Sequence, residues 1–204
     1  MPYYKDVNLL FIHIPKTGGT MIEYEIKRRY NQTLYSLYEN TLLDPPYHKI
    51  SLQHLFYTTL YQFKNRLNID FNNIKIFSFV RNPYDRVISG LFWNKLINQD
   101  YTSEQVHDEI KYNFLYRDDL DNHNQPQYKY ITDENSKLIK NIKIFKTETL
   151  NKSNDELNKF LGFYVNIKRD NVNKNYDRYL NKDSIALIND FYKKDFELFN
   201  YEFK

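Results

Sequence analysis

Three stretches are apolar enough to be strands enclosed in a sheet: Val7 to Ile14, Ile74 to Val80, and the alternating run Asn141 to Lys146. Each is followed by residues whose apolar positions recur at helical spacing. Met21 to Lys27 follows the first, Tyr84 to Trp93 the second, and Leu150 to Leu161 the third, where Gly162 supplies the stop. Between them, Thr33 to Tyr38 reads as a further short strand and Asp44-Pro45-Pro46 as a loop. Ser51 reads as the N-cap of a helix reaching about Phe63, and another helix is expected over Ser103 to Tyr116. Arg117 to Asn124 reads as a polar loop, and Gln125 to Ile131 as a surface turn leading into a short helix. Lys168 to Arg178 has no period. Asp183 or Ser184 then caps a last helix, with Ile185, Ile188, Phe191, Tyr192, Phe196 and Phe199 on one face. Strands alternating with helices predict an α/β fold, a three-layer, mostly parallel open sheet. No internal repeat or low-complexity linker divides the chain, so residues 1–204 are expected to form a single domain.

In such sheets ligands sit at the carboxyl ends of the strands, and two strand-to-helix turns there carry chemistry. The first is Ile14-Pro15-Lys16-Thr17-Gly18-Gly19-Thr20, which holds two of only 4 glycines in the protein. A glycine pair alone could merely supply positive φ. Lys16, Thr17 and Thr20 packed around it, at the positive end of a helix, make it an anion-binding turn. The nucleotide-kinase loop, G-x-x-x-x-G-K-[ST], has its lysine after the last glycine and a hydroxyl on magnesium. Here Lys16 precedes the glycines, so the turn suits a phosphate without that metal arrangement. The second turn is Arg81-Asn82-Pro83-Tyr84-Asp85, with Asn82 as N-cap, Pro83 at the first helical position and Arg81 at the crest. Ser89 lies about 10 Å along that helix, within reach of an anion held by Arg81.

Composition narrows the partners. Of 204 residues, 41% are hydrophobic and 18% aromatic, enough for one sizeable core. A net charge of +3, with no basic tract, gives little support to nucleic acid as the main partner and fits a small anionic ligand, or an acidic polymer lying across a local patch, as well. Cysteine is absent, which excludes disulfides, thiolate-bound zinc and thiol catalysis. No signal-peptide pattern or apolar run of membrane-spanning length is present, so a cytoplasmic, soluble protein is expected.

With both turns in view the sequence resembles the carbohydrate O-sulfotransferases, in particular the heparan 2-O and chondroitin-type enzymes and their microbial and viral relatives. Ile14 to Thr20 is similar to that family's 5'-phosphosulfate loop, and Phe79 to Ser89 to its 3'-phosphate motif. Weaker echoes are Pro126-Gln127, Glu148-Thr149-Leu150 and Tyr192 to Tyr201. The resemblance implies a sulfotransferase fold and transfer of a sulfuryl group from 3'-phosphoadenosine 5'-phosphosulfate to a hydroxyl, of a carbohydrate, without a metal. It implies that Pro15, Lys16, Thr17, Gly18, Gly19 and Thr20 hold the 5' end, with Lys16 on the leaving oxygen, and that Arg81 and Ser89 hold the 3'-phosphate. For the base it points first to His48, in the region after the second strand where the family places a His or Glu. The chain reads His48-Lys49-Ile50-Ser51 where relatives read Lys-His-Ile-Thr. His54 is second. His13 reads as a hydrogen-bonded residue of the core or backing the site, His107 and His123 as solvated, and Arg86 as a surface residue in preference to one that lines the donor site. A P-loop-type nucleotide kinase and a non-catalytic nucleotide-phosphate binding module are the alternatives, the first needing ATP and magnesium.

Overall fold

In the computed structural model, which describes residues 2–30, 51–165 and 176–204, the three apolar stretches pair side by side. β2 (Leu9–Ile12), β3 (Lys75–Val80) and β4 (Ile142–Lys146) are parallel, with Phe11 opposite Phe77 and Phe79 opposite Phe145. A two-residue strand that the hydrophobic pattern did not announce, β1 (Tyr3–Tyr4), runs antiparallel to β2. The order among the described residues is β1-β2-β3-β4.

Alternation along the strands decides what each face covers. Leu10, Ile12, Ile76, Val80, Ile142 and Ile144 join one core with α2 (Tyr57–Gln62), α5 (Tyr128–Ile131) and the end of α8 (Lys193–Phe199). Leu9, Phe11, Phe77, Phe79 and Phe145 face α1 (Gly19–Lys27) and α6 (Asn154–Leu161). Helices on both faces make the predicted α/β sandwich. A third core, beyond the sheet, joins α3 (Pro83–Trp93), α4 (Ser103–Asp108) and α7 (Lys182–Phe191).

Several element expectations change in detail. The helix expected from Ser51 to Phe63 is a 3-10 turn, Leu52–His54, then an extended Leu55-Phe56, then α2; Ser51 does not cap it, because its hydroxyl is bonded to Asp121. α4 is capped by Thr102 and passes into a π-helical stretch, Glu109–Phe114. The last helix breaks at Tyr192 into α7 and α8, and Asn181 caps it, accepting from the Ser184 N–H, in place of Asp183 or Ser184. Gln125 to Ile131 is not a surface turn: Gln127, Tyr130 and Ile131 are buried. The strand expected at Thr33 to Tyr38, the loop through Pro46, His48, and the basic positions Lys168, Arg169 and Lys174 lie outside the described residues.

Gln127 and Tyr128 are enclosed because Asp195, wholly buried on α8, accepts from both of their N–H groups at 2.8 Å. Burial pushes the Asp195 carboxyl up to about 6, against the pull of those two N–H groups and of Arg86. With the folded value above the ordinary carboxylate value, this group's contribution to stability is full below about pH 4 and is lost as pH rises through 6. The unfolding free energy of the native protein minus that of Asp195→Asn should therefore grow by about 2 kcal/mol from about pH 7 to about pH 4. Urea unfolding at stepped pH checks this, the subtraction removing the histidines and other carboxyls; a flat difference would contradict it.

Candidate functional site

The first turn leaves β2 at Ile12 and must reverse into α1 within a few residues. Lys16 at φ 68° and Gly18 at φ 86° both take left-handed backbone to do so, a conformation costly at a lysine. Side-chain hydrogen bonds from other parts of the chain hold it there. The Pro15 carbonyl accepts from Arg86 Nε at 3.0 Å, the Lys16 carbonyl from Arg81 Nη1 at 3.2 Å, and the Thr17 carbonyl from Thr147 Oγ1 at 2.7 Å. Thr17 Oγ1 donates to the Ile14 carbonyl at 2.8 Å. In a trans peptide N–H points opposite to C=O, so each bond turns the N–H of the same unit away from these partners. The row of amides and the start of α1 thus gather N–H groups on one side of the turn, the arrangement by which helix N-termini attract anions.

The second turn is as the sequence predicts. Asn82 Oδ1 accepts from the Tyr84 N–H at 3.0 Å, with Pro83 behind it. Gln127 clamps its crest by pairing with both backbone groups of Arg81, at 2.9 and 2.8 Å. Glu148 accepts from the Asn82 N–H at 2.6 Å and from the Tyr201 hydroxyl at 2.9 Å.

A cavity of about 530 Å³ opens where β2 and β3 end, lined by Pro15, Lys16, Gly18, Gly19, Thr20, Arg81 and Ser89. His13, Glu23, Gln53, His54, Trp93, Asp121 and His123 complete it. Eight of the ten residues expected from sequence to form the site therefore share one cavity. Thr17 is fully buried, with its hydroxyl on the Ile14 carbonyl, so only its backbone serves the turn. His48 lies outside the described residues.

Of the three histidines that line the cavity, His54 is the one paired through Nδ1 with Asp121. Asp121 Oδ2 accepts from His54 Nδ1 at 2.7 Å, while Ser51 donates to the same carboxylate through Oγ at 2.8 Å and N–H at 2.6 Å. With Nδ1 committed, Nε2 carries the ring's lone pair. Burial lowers the pKa of His54, outweighing the pull of Asp121. Burial would raise Asp121, but the bonds from His54 and Ser51 outweigh it and hold the carboxyl low. The pair is therefore a neutral imidazole on a carboxylate.

His13 behaves as a core residue, as expected. It donates to Glu23 Oε1 at 2.5 Å, and Gln53 Nε2 donates to both Glu23 oxygens at 3.1 and 3.0 Å. Glu23 stays ionised because those bonds outweigh its burial. Gly19 is required beside it: a Cβ there would sit 2.6 Å from His13 Cδ2.

Three expectations are corrected. His123 is buried, not solvated: its Nδ1–H donates to the Leu120 carbonyl at 2.8 Å, its ring meets that of His54 at 4.8 Å, and burial pulls its pKa down to about 4. Trp93 stacks on it from the rim, with Lys16 Nζ 4.1 Å from the indole centroid. His107 is half-buried, with Nδ1 enclosed and unpartnered. Arg86, 1% exposed, is no surface residue; besides Pro15 it bonds the His123 carbonyl at 3.1 Å. Asp121, His123, Glu23, Gln53 and Arg86 were thus missed, although Asp121-Asn122-His123 concentrates ligand-type side chains in one loop.

Fold and site together define an α/β protein whose cationic, amide-rich cavity lies at the carboxyl ends of adjacent parallel strands. The family model described as "Sulfotransferase family" matches residues 3–202, and the chain belongs to that family. Comparison with curated proteins and with solved structures gave no match.

Removing the guanidinium tests the frame. Arg86→Met should cost about 2–5 kcal/mol of unfolding free energy, because two enclosed carbonyls lose their donor. Urea denaturation checks this; a change within about 0.5 kcal/mol, the ordinary surface range, would show that Arg86 does not hold the turn.

Proposed function

We propose that this sulfotransferase moves a sulfuryl group from 3'-phosphoadenosine 5'-phosphosulfate to a carbohydrate hydroxyl, with His54 as the base. The observation that carries this reading is one cavity in which the His54–Asp121 pair shares walls with Lys16, Arg81 and Ser89. When bound, the donor supplies the sulfuryl group and departs as adenosine 3',5'-bisphosphate.

The residues present fit a ligand with an anion at each end. Lys16 and the amides of Gly18 and Gly19 would hold the 5' end and offset the charge that develops on the leaving oxygen. Arg81 and Ser89 would hold the 3'-phosphate and so set the register of the reacting atoms. His54 Nε2 takes the proton of the attacking hydroxyl, and Asp121 keeps the ring in the right tautomer and stabilises the imidazolium formed. Trp93, 63% exposed at the rim, offers an aromatic face of the kind sugars stack on. Among the described residues no helix is long and apolar enough to cross a membrane.

Turnover and donor affinity measured on the same variants separate these roles. Lys16→Ala should lose about 100-fold or more in turnover with a small change in affinity for adenosine 3',5'-bisphosphate. Arg81→Ala should chiefly weaken that affinity. His54→Ala and Asp121→Asn should keep binding and lose about 100-fold or more in transfer. Small, equal effects of Lys16→Ala and Arg81→Ala would contradict the mechanism. Loss of transfer in His48→Ala, with His54→Ala active, would move the base to His48.

A further inference from the structure

His54, Asp121 and His123 make a cluster that proton transfer alone does not account for. One ligand-type atom from each lies within 4.8 Å of the other two, and the set borders the cavity. Two imidazoles with one carboxylate are the ligands that borderline divalent ions such as zinc take, while magnesium and calcium favour oxygen ligands. The supporting contacts are also of the kind that orient metal ligands. The His123 Nδ1–H is fixed on the Leu120 carbonyl, leaving Nε2 with the lone pair, and Ser51 holds the Asp121 carboxylate.

Bonds near 2.1 Å place the ligand atoms of a tetrahedral ion about 3.4 Å apart. Closing the cluster from 4.8 Å to that spacing takes side-chain rotation, and a fourth position is left to water or an anion. The surroundings carry both signs: Glu23 lies behind His13, whose ring is 5.5 Å from that of His54, and Arg86 bonds the His123 carbonyl.

We propose that His54, Asp121 and His123 bind a zinc-class divalent ion, and that the bound ion switches transfer off by taking His54. An ion on Nε2 occupies the lone pair that accepts the hydroxyl proton. An ion on Nδ1 shifts the ring's proton to Nε2, which removes the same proton-accepting lone pair and breaks the bond to Asp121. The regulatory half rests on reading His54 as the base; the binding half does not.

Zinc titrated calorimetrically into chelator-treated protein should bind one ion per chain, with magnesium silent. His123→Gln should weaken binding roughly tenfold or more, and zinc should raise the melting temperature of the native protein by more than that of this variant. Cobalt in the native protein should give the intense visible bands of a low-coordinate ion, a readout independent of how any variant folds. No saturable zinc binding, a weak octahedral cobalt spectrum, or undiminished binding by a folded His123→Gln would overturn the site. Zinc should also inhibit sulfuryl transfer, with EDTA restoring it; full turnover at saturating zinc would overturn the regulatory half. Metal-free protein that neither binds adenosine 3',5'-bisphosphate nor turns over would instead overturn the sulfotransferase reading and leave the zinc result standing.

Discussion

Three successive carbonyls, those of Pro15, Lys16 and Thr17, are held by side chains that arrive from the ends of the next two strands. The site depends on this. A chain leaving β2 with Lys16 in left-handed backbone would otherwise relax to a cheaper path. Arg86 is the deepest of the three holders, and its chemistry suits the task. A guanidinium presents several donors in a rigid fork, so one side chain can bond the Pro15 and His123 carbonyls at once. A lysine would bring a single point charge. Through Arg86 the anion-binding turn and the loop carrying Asp121 and His123 become one rigid object, and His54 is fixed to that object through Asp121.

Burial then sets the charge states. The same desolvation that drives His123 down to about 4 and lowers His54 would raise Glu23 and Asp121, yet those carboxylates stay ionised because each gathers several donors. The cavity thus has cationic walls at Lys16 and Arg81 and a floor of neutral imidazoles backed by carboxylates. The proposed roles rest on that division, acid–base work on His54 in the floor and leaving-group stabilisation on Lys16 in the walls.

Much of this was legible in the sequence because it is local. The turns at Pro15 to Thr20 and Arg81 to Ser89 declare themselves by glycine, proline, capping residues and their place after apolar strands, and the structure keeps both. What was not legible is long-range. Arg86 looks like any helix-surface arginine until the loop at His123 packs on it, and Asp121 reaches His54 across 67 positions of sequence. Ser51 looks like a helix cap and is instead bonded to Asp121. The faint echoes at Gln127 and Glu148 acquire a physical meaning only in three dimensions, where both clamp the backbone of the second turn. Tyr192 likewise gave no local sign that the last helix would break there.

The most direct test of the account is calorimetric titration of the purified protein with adenosine 3',5'-bisphosphate and, separately, with ATP and magnesium. The proposed donor site, with Lys16 at one turn and Arg81 and Ser89 at the other in one cavity, predicts tight binding of the bisphosphate in the absence of magnesium, and weak binding of ATP. Preference for ATP with magnesium, or no measurable affinity for the bisphosphate, would contradict it.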